Sequence, residues 1–126
     1  MSGTILIVED HDAVRRSLRE WLSVEFPRFR FIEAASGEAA VALAQAEMPC
    51  IVVMDVGLPQ MSGIEATRHI KANLPATQVV ILTILEDEAY RVDAADAGVC
   101  AYVPKRTMQN ELVPALTALL SAQGSL

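Results

Sequence analysis

No apolar run in this chain approaches the roughly 20 residues that a membrane-spanning helix requires, so a transmembrane helix is excluded. The first residues lack a basic segment leading into a long apolar stretch; no secretory signal is expected, and the reading is a cytoplasmic protein without membrane association. Cysteine is scarce. Cys50 and Cys100 form no Cys-x-x-Cys pair and are expected to be small, reduced core residues rather than a disulfide or a metal site. Positive charge is also short: 10 Lys and Arg face 16 Asp and Glu, for a formal net charge of −6. A phosphate backbone is repelled on average, so direct nucleic-acid binding is not expected. Arg15, Arg16 and Arg19 fall on one segment and read as a solvated helix face. There is no Gly-x-x-x-x-Gly-Lys-[Ser/Thr], no Gly-x-Gly-x-x-Gly after the first strand and no Gly-x-Ser-x-Gly, which removes P-loop, dinucleotide and nucleophile-elbow chemistry. His11 and His69 lie far apart in sequence and read as surface residues rather than ligands.

What is present is apolar and rhythmic. At 126 residues and 52% hydrophobic, the chain suits one domain with a real core, taken as 1–122 with a frayed tail at 123–126. A short β-branched run followed by a helical stretch recurs five times. Residues 4–8 (TILIV) make a buried strand; a helix follows from Asp12, a candidate N-cap, to about Glu25, with Val14, Leu18, Trp21 and Leu22 on one stripe. Residues 30–34 read as a more polar edge strand. Ser36 caps a second helix whose inner face is Ala40, Leu43 and Ala44. Residues 50–54 (CIVVM) are apolar throughout, the mark of a central strand buried on both faces. Ser62-Gly63-Ile64-Glu65 reads as a capping box opening a third helix, with Ile64, Ile70 and Leu74 inward and Pro75 as its stop. Residues 78–82 form the fourth strand. The fourth helix, 86–97, ends at Gly98 and has a thin inner face of Val92, Ala95 and other alanines. Residues 100–103 form the fifth strand. The last helix carries Leu112, Leu116, Leu119 and Leu120 and runs to about Ala122; Pro114 within it is accommodated most easily if the regular helix starts near Asn110. Five such repeats with apolar central strands predict an α/β fold: a doubly wound, five-stranded parallel sheet with helices on both faces.

In such sheets function gathers at the carboxyl ends of the strands. Glu9 and Asp10 follow strand one, Asp55 ends strand three, Thr83 ends strand four and Lys105 lies just past strand five. Each is the first polar group after an apolar run, so all five are expected on one rim. Three carboxylates brought together repel, which raises their pKa values or recruits a cation. Oxygen-only ligands favour Mg²⁺ or Mn²⁺, held by two carboxylates and a backbone carbonyl. Asp55 can then act as a carboxylate nucleophile toward phosphorus. Lys105 would offset charge on the phosphoryl oxygens, and the Thr83 hydroxyl would donate to one of them.

With VEDHD (8–12), MDVGLPQMSG (54–63), ILT (81–83) and AYVPK (101–105), the chain resembles the receiver domain of two-component response regulators over essentially its whole length. GIEATRHIK and LEDEAYRVDAADAG further resemble the NarL/LuxR-type subgroup, whose receivers precede a DNA-binding helix-turn-helix. The resemblance implies a flavodoxin-like (βα)5 sheet of strand order 2-1-3-4-5. It implies Asp55 as phospho-acceptor, and Asp10, Asp55 and the Gly57 carbonyl as Mg²⁺ ligands with Glu9 reaching the metal through water. It also implies Thr83 and Lys105 as the phosphoryl-sensing pair, and Tyr102 as the aromatic that changes rotamer on activation. The implied partners are a sensor histidine kinase or phosphotransfer protein and, on phosphorylation, a second copy or an output partner on the side of the fourth and fifth helices. The output domain of the subgroup is not in this chain, which is either a fragment or a stand-alone receiver. Three positions depart from the pattern: Arg106 replaces the usual proline after the lysine, with Pro104 before it, which leaves the usual cis peptide open; Gly57 is smaller than the common residue; and Ile84, larger than usual, would crowd the coupling path.

Two other readings differ in class. A pseudo-receiver, a pure interaction module, would lack an acidic residue or the lysine, and both are here. A phosphatase or dehalogenase-like enzyme with an Asp nucleophile would place a second acid two residues on, where this chain has Gly57.

Overall fold

The computed structural model describes residues 3–124. Five strands, β1 (Thr4–Val8), β2 (Arg30–Ala34), β3 (Ile51–Asp55), β4 (Gln78–Thr83) and β5 (Ala101–Pro104), alternate with five α-helices. These are α1 (Asp12–Glu25), α2 (Gly37–Glu47), α3 (Gly63–Asn73), α4 (Glu88–Ala97) and α5 (Met108–Ala122), the last entered through a 3₁₀ turn at Lys105–Thr107. All pairings are parallel, in the order β2-β1-β3-β4-β5, as the repeats and the resemblance implied. Among the described residues no helix is long and apolar enough to cross a membrane.

Strand alternation divides the core into two layers. Leu6, Val8, Val52, Met54, Val79 and Ile81 meet α2, α3 and α4; Ile5, Ile7, Ile51, Val53, Val80 and Leu82 meet α1 and α5. β3 is buried on both faces, while the edge strand β2 is mostly half-buried. The hydroxyls of Ser36 and Ser62 cap their helices as read, accepting from Ala39 N–H at 3.1 Å and Glu65 N–H at 3.2 Å.

Several expectations are corrected. Asp12 is the first helical residue rather than the cap; His11 holds the cap position without a side-chain hydrogen bond to the helix. Val14 is exposed and Trp21 half-buried, so only Leu18 and Leu22 anchor α1 fully; the buried stripe is narrower than the apolar one. α4 starts at Glu88, and its inner face is Ala94 and Ala97, with Val92 and Ala95 turned to solvent. Cys100 is exposed and Cys50 half-buried, both as free thiols. α5 begins at Met108, not near Asn110, and tolerates Pro114 because both Pro114 and Asn110 are exposed: the carbonyl that loses its amide partner faces water. Gln123, expected in a frayed tail, caps α5 and donates to the Cys50 carbonyl at 3.2 Å; Ser125 and Leu126 lie outside the described residues.

Candidate functional site

The parallel register ends β1, β3, β4 and β5 at one edge, and the first polar residues beyond them converge there. Lys105 Nζ lies 3.1 Å from Glu9 Oε1 and 3.4 Å from Asp55 Oδ2. Asp10, His11, Asp55, Gly57, Thr83 and Lys105 line one cleft of about 280 Å³, walled by Val56, Ile84 and Leu85. Glu9 sits beneath it, 1% exposed. The five residues singled out at the strand ends are therefore together, and Gly57 is with them. Tyr102 stands one step away, outside the lining.

The charges are unequal in their settings. Burial pushes Glu9 up, but the His11 N–H, the Lys105 ammonium and neighbouring side-chain hydrogen bonds outweigh it and bring the carboxyl down to about 2. Asp55 goes the other way: burial raises it, Glu9's charge adds to this, and the Gly57 N–H (3.1 Å to Oδ1) and Lys105 do not fully compensate. Lys105 is raised, because Glu9 and Asp55 outweigh the burial that disfavours its charge. His11, expected as an uninvolved surface residue, is exposed but engaged: its Nδ1 lies 3.2 Å from Glu9 Oε2 and 3.3 Å from Asp10 Oδ1, and the Glu9 contact, with Asp10's charge, raises its pKa.

The donor set fits a hard divalent cation. Asp10 Oδ1 is a buried oxygen without a hydrogen-bond partner, and one ligand atom each from Glu9, Asp10 and His11 lie within 4.8 Å of one another. A cluster rich in carboxylate oxygens, one of them unsatisfied, suits Mg²⁺.

The Thr83 hydroxyl, fully buried, accepts from the Leu85 N–H at 2.8 Å, and the Leu85 carbonyl accepts from the Tyr102 hydroxyl. Leu85 thus joins the two through its backbone, a link no side-chain pattern signals. Arg91 lies over the Tyr102 ring, 4.8 Å from its centroid. Arg106, in the place often held by proline, forms a two-pronged pair with Glu86 at 2.9 Å for each nitrogen; among the described residues no peptide bond is cis. Ile84, at the wall of the cleft, is 78% exposed, so most of its side chain faces solvent. Arg15 is not on a solvated face: its side chain is mostly buried and paired with Asp12 and Glu33.

Two glycines differ sharply. A Cβ on Gly57 would meet nothing nearer than Asp55 Oδ1 at 3.8 Å, whereas one on Gly63 would fall 2.4 Å from the Asp55 carbonyl and 2.8 Å from Val56 Cα. The start of α3 therefore rests directly on the backbone that aims Asp55. Because backbone cannot step aside as a side chain can, Gly63→Ala should cost about 1–3 kcal/mol in urea denaturation. An unchanged midpoint would contradict this packing.

Known proteins resemble this chain in sequence and in fold. The family described as the response regulator receiver domain matches residues 5–117. The chain is 38% identical over 118 residues to the response regulator protein VraR of Staphylococcus aureus, covering 92% of this chain and 56% of that one. It is 34% identical over 114 residues to the uncharacterized transcriptional regulatory protein YxjL of Bacillus subtilis, covering 90% and 52%. The chain thus spans about half the length of these curated relatives. Among solved structures, a LuxR-family two-component response regulator from Aurantimonas sp. SI85-9A1 superposes with a TM-score of 0.90 at 36% identity, covering 97% of this chain and 87% of that one.

Proposed function

This chain belongs to the response regulator receiver domain family, and from that premise we propose that it is a Mg²⁺-dependent phosphorylation switch. In this reading Asp55 takes a phosphoryl group from the phosphohistidine of a sensor kinase or phosphotransfer protein. One observation carries the reading: a lysine ammonium held between a buried glutamate and a half-buried aspartate at the mouth of an acidic cleft. A carboxylate oxygen of Asp55 forms the bond to phosphorus as the P–N bond breaks, and the bonding pair leaves with the imidazole nitrogen. Asp10 and Asp55, with the Gly57 carbonyl and Glu9 through water, would hold the Mg²⁺, which when bound offsets charge on the phosphoryl oxygens. Lys105 supplies the protein's own cation to the same oxygens. Thr83 leaves Leu85 to donate a hydrogen bond from its hydroxyl to a phosphoryl oxygen, and this frees the loop that Tyr102 holds by its other end.

Outside the cleft, no second catalytic set is apparent among the described residues, so the output is a change of surface on the side of α4 and α5. α4 buries only Ala94 and Ala97, its other ties being surface contacts such as Arg91 over Tyr102, so it moves at low cost. Its effect is limited to the partner's differential affinity for the two states, typically ~1–3 kcal/mol. Self-association and control of transcription by a linked output domain are the proposed uses, the latter in keeping with the similarity to a transcriptional regulatory protein.

Beryllofluoride, which mimics the phosphoryl group, tests the reading. With Mg²⁺ it should raise the melting temperature and shift sedimentation toward a dimer; without Mg²⁺ it should do neither. No thermal response in Mg²⁺ would leave a non-phosphorylated interaction module as the better description.

A further inference from the structure

Asp10 presents a difficulty for the proposed metal site. Its Oδ1 makes no hydrogen bond and faces only the exposed His11 ring, at 3.3 Å, so the aim of the carboxylate depends on the backbone of the turn between β1 and α1, which carries both residues. That turn is tied down by one side chain. Arg15 Nη1 donates to the Glu9 carbonyl at 2.8 Å, Nη2 to Asp12 Oδ1 at 2.8 Å, and Nε to Glu33 Oε1 at 2.9 Å. The side chain is 15% exposed, and its guanidinium joins three elements: the peptide between Glu9 and Asp10, the first turn of α1, and the edge strand β2. Glu33 is itself fixed from outside, with Arg19 Nε 3.0 Å from its second oxygen.

We propose that Arg15 is a positioning residue for the acidic rim, holding the β1–α1 turn so that Asp10 points into the cleft ready for Mg²⁺. The inference rests on the reading that this rim binds the metal. Arg15 reaches no cleft oxygen; it acts through the Glu9 carbonyl, whose peptide plane fixes the direction in which Asp10 leaves the strand. Only a planar fork serves three acceptors lying in different directions. A lysine keeps the charge but cannot reproduce the fixed geometry.

Positioning and plain electrostatics predict opposite signs. A cation near the cleft repels Mg²⁺, so if charge alone matters, Arg15→Ala tightens metal binding and Arg15→Lys leaves it unchanged. If Arg15 positions Asp10, both substitutions weaken it. Loss of a residue that orients a metal ligand typically costs 10–100-fold in affinity. The test is calorimetric titration of Mg²⁺ into the full chain, well below the melting temperature of each protein, for wild type, Arg15→Ala, Arg15→Lys and Glu33→Ala. Melting curves without metal accompany it. Arg15→Ala and Arg15→Lys should bind about 10–100-fold more weakly, and Glu33→Ala, which leaves the fork two partners, up to tenfold more weakly. Should Arg15→Ala not fold, the other two variants decide. Unchanged or tighter binding in the folded variants, with only a lower melting temperature, reduces Arg15 to a structural strut and overturns the inference. Wild type that takes up no Mg²⁺ overturns the metal reading itself, and this inference with it.

Discussion

Asp55→Asn should abolish phosphoryl incorporation from acetyl phosphate and Mg²⁺, while the unmodified variant becomes harder to unfold than wild type. The first half follows from chemistry. Asparagine keeps the shape and the Gly57 N–H contact at Oδ1, but it offers phosphorus no anionic oxygen. The second half follows from electrostatics. Asp55's folded pKa is raised above its ordinary 3.8, chiefly by burial with Glu9's charge adding to it. Ionising it therefore costs folding free energy. That cost is absent below 3.8, grows as pH rises through the folded value, and is complete above it. At neutral pH wild type carries the cost and the asparagine variant does not. Lys105 keeps its contact with Glu9 at 3.1 Å in either case. Intact-mass spectrometry should show one added phosphoryl group on wild type and none on the variant, and urea midpoints at pH 7 should favour the variant. Equal labelling would remove Asp55 as acceptor; a lower midpoint would show that the Lys105 contact at 3.4 Å outweighs the burial.

How much of this was legible in the sequence depends on how far each feature reaches. The rim was readable because a parallel sheet places every strand's carboxyl end at one edge, and each site residue is the first polar group after an apolar run: Asp55 after IVVM, Thr83 after VVIL, Lys105 after AYVP. Helix caps at Ser36 and Ser62 were readable because a cap is made within four residues. The missed features depend on tertiary position. Arg15 meets Glu33 across 18 positions and Arg106 meets Glu86 across 20; nothing local pairs them. The pair Asp12 and Arg15, three apart on one helix, was the single local hint that Arg15 is held. Leu85 was invisible because its backbone, not its side chain, makes the link between Thr83 and Tyr102. Val14 and Val92 were misplaced because periodicity gives the centre of an apolar stripe, while the neighbouring elements decide how wide a stripe is covered.

Lys105→Met should lower stability at neutral pH, and the loss should fade in acid. Glu9 is 1% exposed, and among the described residues Lys105 is its one cationic partner that stays charged at every ordinary pH, at 3.1 Å. Removing one member of a buried pair strands the other, typically at a cost of about 3–5 kcal/mol. Here the His11 N–H, 3.2 Å from Glu9 Oε2, remains and moderates it. Glu9's carboxyl lies at about 2 against an ordinary 4.5, a difference worth on the order of 3 kcal/mol to the folded state at neutral pH. Lys105 is one of several contributors, so its removal should cost about 1–2 kcal/mol at pH 7. The sign fixes the window. A depressed carboxyl stabilises above its unfolded value, and that contribution is lost as pH falls from 4.5 toward 2. Wild type should therefore lose more stability than Lys105→Met between pH 7 and pH 3, and their urea midpoints should converge. Above pH 10.5 the advantage of wild type should fade again, as Lys105 itself deprotonates at its raised folded value. Parallel curves across the acid range would mean that the methionine variant is weakened by packing alone, and that the ammonium is not what keeps the buried glutamate ionised.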